Sequence, residues 1–169
     1  MDFGLRAPTV MLWAQLRQTP DGLRIEVLDE YVQRDCTVDQ HIAVIRSRPW
    51  PGLRWIGVDP AGNQRNDHTG TTTVALLRQA GFAVRWSRAR LEASLEMLRR
   101  RIDPASGPPL LAIHPRCRRL IEALVSYHFD LSRPQLQTPV KDGPDHAVDA
   151  LRYLVVNLEA SGTVDARGY

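Results

Sequence analysis

The chain has 169 residues, 43% of them hydrophobic and 24% charged, with a net charge of +3 and a pI near 9.2. This length suits one domain with a proper core, and the composition is that of an ordinary soluble globular protein. No apolar run approaches the ~20 residues of a membrane span, no basic-then-apolar leader opens the chain, and two cysteines, Cys36 and Cys117, are too few for a disulfide framework and suit a reducing compartment.

Residues 8–16, PTVMLWAQL, read as a strand. TPDG at 19–22 signals a turn, and the alternating LRIEVLDEYV at 23–32 reads as the returning strand of a hairpin. Thr37 or Asp39 can cap a short helix through DQHIAVIRSR, which stops before Pro49. Residues 53–58, LRWIGV, predict a short buried strand that breaks at Asp59-Pro60, followed by the polar loop AGNQRNDHTG at 61–70. TTTVALLRQAG at 71–81 predicts a helix stopped by Gly81. Residues 82–86 predict a strand, 91–102 an amphipathic basic helix, and 108–113 a short strand. PRCRRLIEALVSYHF predicts a helix with Pro115 near its first position. From Asp145 a last helix buries Ala147, Val148, Leu151, Leu154 and Val155 at helical spacing. The domain is expected over residues 1–160, with a frayed tail over 161–169.

Early antiparallel strands followed by strands alternating with helices imply an α/β fold, a mixed central sheet flanked by helices. In such sheets, sites gather where strand ends open into loops. Asp59 stands at such an end, and Asp2 just precedes the first clear strand. Asp145 and Asp149, four residues apart, share one side of the last helix. Asp145 sits in the first turn, where the helix dipole favours an anion; Asp149 lies a turn deeper, among apolar and small residues. Gathered carboxylates repel and resist ionisation unless a cation is present. A hard divalent ion with oxygen ligands removes the conflict, and two such ions can stabilise both oxygens of a phosphodiester displacement. On this view, replacing Asp149 by Asn relieves repulsion and raises stability when metal is absent. Plainer roles fit the same residues: a turn Asp before Pro60, an N-terminal helix acid at Asp145, and an Asp149 ion-paired with Arg152.

The quoted segments also carry a resemblance. MDFGLRAPTVMLWA resembles the first-strand motif of the nuclease domain of tailed-bacteriophage terminase large subunits, and WIGVDPAGNQRNDHTG resembles that family's strand ending in Asp-Pro-Ala-Gly. LLAIHPRCRRLIEAL is similar to the segment before its final helix, and PDHAVDALRYLV to its closing block. The resemblance implies an RNase H-like fold and a Mg²⁺- or Mn²⁺-dependent endonuclease that cuts concatemeric double-stranded DNA, with two ions held. It maps the metal ligands onto Asp2, Asp59 and Asp149, with Asp145 a further ligand or a supporting group. His146 would orient water or a phosphate, and Lys141, the sole lysine, would contact substrate phosphate; a surface histidine and a solvated lysine are the plain alternatives. The implied partners are DNA, a terminase ATPase domain, the small terminase subunit and the portal, and the implied location is the host cytoplasm.

The family places its nuclease after an ATPase motor, whereas this sequence has no Gly-x-x-x-x-Gly-Lys-Ser/Thr loop, so it reads as a separated domain or a piece of a split protein. Only Met1 precedes Asp2, so the strand that should hold Asp2 is expected to be short. A resolvase or transposase of the same fold shares the chemistry, and a non-catalytic DNA-binding or motor-docking module shares the surface. Arginines suit phosphates, and those along 85–101 and 116–119 are candidate backbone contacts, as are Arg65, Asn66 and His68 of the polar loop. GC-rich codon usage explains the arginine bias equally well. His114, Cys117, Cys36 and His41 do not have the spacing of a known zinc finger; a buried thiol and a strand-end histidine are the simpler reading.

Overall fold

The computed structural model describes residues 1–2, 8–50, 52–63, 71–129, 140 and 145–165. Its elements are β1 (Thr9–Thr19), β2 (Gly22–Gln33), α1 (Val38–Ser47), β3 (Ile56–Gly57), a 3₁₀ turn (Pro60–Asn63), α2 (Thr73–Gln79), β4 (Val84–Arg85), α3 (Leu91–Ile102), β5 (Leu111–Ile113), α4 (Arg118–Ser126) and α5 (Asp145–Asp165).

β1 and β2 pair antiparallel through the tight Pro20-Asp21 turn, with Thr19 opposite Gly22. Gly22 has φ +127°, a conformation that an L side chain rarely adopts. The register slips between Trp13 and Ala14, as at a β-bulge. β5 adds parallel to β2, and β3 pairs parallel with β4. Residues 1–2 join the two sets. Asp2 exchanges both backbone hydrogen bonds with Val10 at 2.9 Å. On its other side the Met1 nitrogen donates to the Gly57 carbonyl at 2.7 Å, and the Asp59 N–H donates to the Met1 carbonyl at 3.2 Å. The hydrogen-bonded order is therefore β4, β3, Met1–Asp2, β1, β2, β5. This is the expected mixed sheet, and Asp2 stands in its middle.

Helices cover both faces. Val10, Ile25, Val27 and Leu111 pack with Leu98, Leu120, Val148, Leu151 and Val155 of α3, α4 and α5. Met11 and Trp13, one residue out of phase on β1, pack with Ile42 and Ile45 of α1 and Val74 and Leu77 of α2. Strand side chains alternate between faces. A strand buried on both sides therefore reads as the unbroken apolar run Val10-Met11-Leu12-Trp13.

Local signals place most helix ends. Thr37 caps α1 in a full capping box with Gln40, which leaves Asp39 in the first turn. Thr72 caps α2, and Gly81 follows its end at φ +92°. Two expectations shift. The strand expected over 53–58 is laddered only at Ile56–Gly57, because Leu53 and Arg54 lie exposed beyond its short neighbours. α4 begins at Arg118, three residues after Pro115, because the β2 residue Glu30 caps it. Its two carboxylate oxygens accept from the Arg119 and Leu120 N–H groups at 2.9 Å each. α5 runs from Asp145 to Asp165.

Candidate metal centre and adjoining cleft

Three remote segments converge at one end of the sheet. Asp2 sits on the central strand fragment, Asp59 follows β3, and α5 crosses beneath both. Asn157 pins the helix to the strand: its Nδ2 donates to the Val58 carbonyl at 3.3 Å and to the Tyr153 carbonyl at 2.8 Å. Gly57 permits this approach, since a Cβ there would lie 2.7 Å from the Trp55 ring and 3.2 Å from Asn157 Nδ2.

The side chains are held as follows. Asp2 is buried, and its Oδ2 lies 2.9 Å from His146 Nδ1. Asp59 is half-buried, and its Oδ1 accepts from the Ala61 N–H at 2.9 Å, which starts the 3₁₀ turn. Asp149 Oδ1 accepts from Arg152 Nε at 3.0 Å and Nη2 at 2.9 Å. Arg152 Nη1 donates to Ser94 Oγ at 3.0 Å, and its guanidinium lies 4.6 Å from the centre of the Tyr153 ring. Asp145, also buried, opens the helix.

The charges act on one another. Burial pushes the Asp2 carboxyl above its ordinary pKa; the His146 bond opposes this, and the Asp149 charge adds to it. His146 is pushed up chiefly by its bond to Asp2, against burial, with help from the charges of Asp145, Asp2 and Asp149. The Tyr153 phenol is pushed far up by burial first and by the Asp59 charge next, with Asp149 and Asp2 contributing. Carboxylates from positions 2, 59 and 149 thus bear on a single phenol, and Tyr153 keeps its proton.

Among the described residues, no group of three or more His, Cys, Asp or Glu side chains is assembled tightly enough to hold an ion. Asp149 pairs with Arg152, and Asp2 with His146. The donor set still suits a hard cation. It consists of carboxylate oxygens, and the buried Asp2, with Asp149 near, carries a charge that its surroundings disfavour.

Beside Asp59 opens a cleft of about 420 Å³ whose walls include Asp59, Ser87, Arg88, Arg152 and Tyr153. Sequence reasoning gave Arg152 only as a pairing partner and did not single out Tyr153, Ser87 or Ser94. Position offered a partial signal, since Tyr153 is four residues from Asp149 and so on its side of the helix. Arg88 was one of a run of candidate arginines, and the fold places it on the cleft. Arg101, another of that run, serves packing instead: its Nε lies 3.1 Å from a Glu159 oxygen and its Nη1 donates to the Leu23 carbonyl at 2.9 Å. Arg100 pairs with Glu96 on the exposed side of α3. Lys141, Arg65, Asn66 and His68 lie outside the described residues.

The four residues weighed for zinc are divided between layers. Cys117 is buried in the α4–α5 core, where burial pushes its thiol up to about 11. His41 is buried on α1, edge-on to Tyr31 with ring centres 5.7 Å apart, and Cys36 Sγ lies 4.0 Å from the Tyr31 hydroxyl. His114 is exposed, and its Nδ1 accepts from the Arg116 backbone N–H at 3.1 Å.

No protein-family model matches the chain, and no curated protein matches it. Solved structures do share its fold. The P22 large terminase nuclease domain superposes with a TM-score of 0.69 at 20% identity, over 92% of this chain and 77% of that one. The g2p large terminase nuclease domain of bacteriophage SPP1, solved with bound Mn, superposes with a TM-score of 0.60 at 16% identity, over 95% of this chain and 83% of that one. A large terminase from a thermophilic bacteriophage superposes with a TM-score of 0.67 at 22% identity, over 91% of this chain. The chain spans 37% of the length of that terminase. The fold these structures share with the chain is the mixed, helix-flanked sheet described above.

Proposed function

We propose that this chain is a metal-dependent DNA endonuclease domain of the terminase type, cutting concatemeric double-stranded DNA during packaging. The observation that carries the reading is the convergence of Asp2, Asp59 and Asp149, far apart in sequence, on one end of the sheet and on Tyr153. A fold shared with terminase nuclease domains, one of them solved with bound Mn, supports it. Asp2, Asp59 and Asp149 would hold Mg²⁺ or Mn²⁺, two ions in the full site, with Asp145 as a further ligand or support. When bound, the ions supply Lewis-acid stabilisation of the attacking and leaving oxygens of the phosphodiester.

The protein's own groups do the rest. His146 commits Nδ1 to Asp2 and so presents Nε2 as the atom that can give or take a proton near the site. Arg88, exposed on the wall that also holds Asp59, can anchor a phosphate of the same strand. Tyr153 keeps its phenol proton as a hydrogen-bond donor to that strand. In this reading residues 1–160 form the nuclease unit. Its partners are double-stranded DNA, an ATPase motor domain, the small terminase subunit and the portal, and it acts in the host cytoplasm.

The test is Asp59→Asn. Asn can still accept the Ala61 N–H, so the 3₁₀ turn and the fold survive, while Mn²⁺-dependent nicking of plasmid DNA should fall at least about a hundredfold, since a metal clamp supplies several kcal/mol. Near-normal nicking would remove Asp59 from the site. A second reading, a non-catalytic DNA-binding module, draws on the Asp149–Arg152 pair, which occupies a carboxylate that the nuclease needs. It predicts salt-sensitive DNA binding and no nicking by the unchanged protein at any Mn²⁺ concentration.

A further inference from the structure

Arg152 is a charged side chain that the proposed chemistry leaves unused, and it is the most tightly engaged polar group at the site. It is only 7% exposed. Two of its nitrogens donate to the same oxygen, Oδ1 of Asp149. A third donates to Ser94 Oγ, and the buried Ser94 in turn donates to the Leu91 carbonyl at 2.7 Å. The Tyr153 ring lies against the guanidinium. Swinging away would strand buried N–H groups, and a guanidinium does not shed its proton. The positive charge is therefore permanent and fixed in place.

Two consequences follow. Asp149 Oδ1 is committed, while Oδ2 has no partner among the described residues, so Oδ2 is the oxygen that Asp149 can offer. A fixed positive charge beside the carboxylates also opposes the approach of a divalent ion. We propose that Arg152 is the site's built-in counter-ion and a positioning residue: it sets which oxygen Asp149 presents and holds divalent-metal affinity low. This rests on the metal-dependent reading above.

The experiment is calorimetric titration of Mn²⁺ into the DNA-free protein, with metal-induced shifts in melting temperature as a parallel readout. Arg152→Gln removes the charge but can still reach Ser94. Its Mn²⁺ affinity should rise at least about tenfold, because a unit charge acts strongly on a divalent ion at close range even in a well-screened medium. Arg152→Lys keeps the charge but loses the two-pronged grip, and should stay within about threefold of the unchanged protein. Ser94→Ala frees one anchor without touching the charge and should tighten Mn²⁺ by about two- to threefold, and it serves if the Gln variant does not fold. Unchanged or weaker affinity in Arg152→Gln, or no change in Ser94→Ala should the Gln variant unfold, would overturn the inference, as would equal effects of Gln and Lys. If the unchanged protein gives no Mn²⁺ response at all, the metal reading fails and the inference with it. A normal response that the Arg152 variants leave unaltered sinks the inference alone.

Discussion

Replacing Asp149 by Asn tests the electrostatics of α5 directly, because two opposing effects meet at that carboxylate. Taken from sequence, the substitution relieves repulsion among acids and stabilises the metal-free protein. The contact with Arg152 argues for the opposite sign. Arg152 places two N–H groups on Asp149 Oδ1, with side-chain exposures of 9% for Arg152 and 21% for Asp149. Exposed pairs contribute about 0–1 kcal/mol, and breaking a fully buried one costs roughly 3–5 kcal/mol; this pair lies between. Asn keeps an acceptor oxygen, so the loss is the difference between a charged and a neutral acceptor, about 1–2 kcal/mol. The opposing relief is smaller: at Asp2 the Asp149 charge ranks behind burial and the His146 bond. The net expectation is a loss of about 1 kcal/mol, or roughly 2–4 °C in melting temperature for a chain of this size. Melting curves in chelator read this out. Added Mn²⁺ should then widen the gap, since the ion binds the folded site of the unchanged protein and stabilises it by mass action. A variant as stable as the unchanged protein in chelator, or more stable, would show that repulsion wins and refute the reasoning.

Two further outcomes follow from particular contacts. Arg88→Ala should weaken DNA binding and lower its salt dependence by about one counterion, whereas Arg101→Ala, which strips the Leu23 carbonyl and Glu159 of a partner, should cost roughly 1–2 kcal/mol of stability and leave binding nearly unchanged; equal binding losses would mean that the cleft has no special role. Burial holds His41 below its ordinary pKa of 6.5, so the unfolded chain takes up a proton that the folded form resists, and stability is full above pH 6.5 and falls as the pH drops from there toward the depressed value. The melting temperature should therefore fall more between about pH 7 and pH 5 in the unchanged protein than in His41→Gln, and parallel profiles would count against this.

Much of this architecture was legible in the residues because its signals are local. The hairpin is written in alternation around Thr19–Gly22, α1 in the Thr37–Gln40 capping box, and the end of α2 in Gly81. The buried stripe of α5 follows from 3.6-residue spacing, and Val148, Leu151 and Val155 are fully buried as that spacing predicts. The candidate acids could also be named from position: Asp2 and Asp59 flank expected strands, Asp145 opens the last helix, and Asp149 lies one turn into it.

What only the tertiary structure decided is how distant groups pair. Met1 and Asp2 lie between β1 and β3 and join the two sets of strands, a pairing that no local pattern announces. Glu30 caps a helix nearly ninety positions later, and Arg101 turns from a candidate phosphate contact into a clamp on Leu23 and Glu159. Above all, Asp149 and Arg152 were visible as neighbours on one helix, but spacing alone cannot say whether such a pair forms or whether the acid faces other acids. That depends on burial, which raises the cost of leaving a guanidinium unpaired, and on Ser94, fifty-eight residues away, which holds the guanidinium in place.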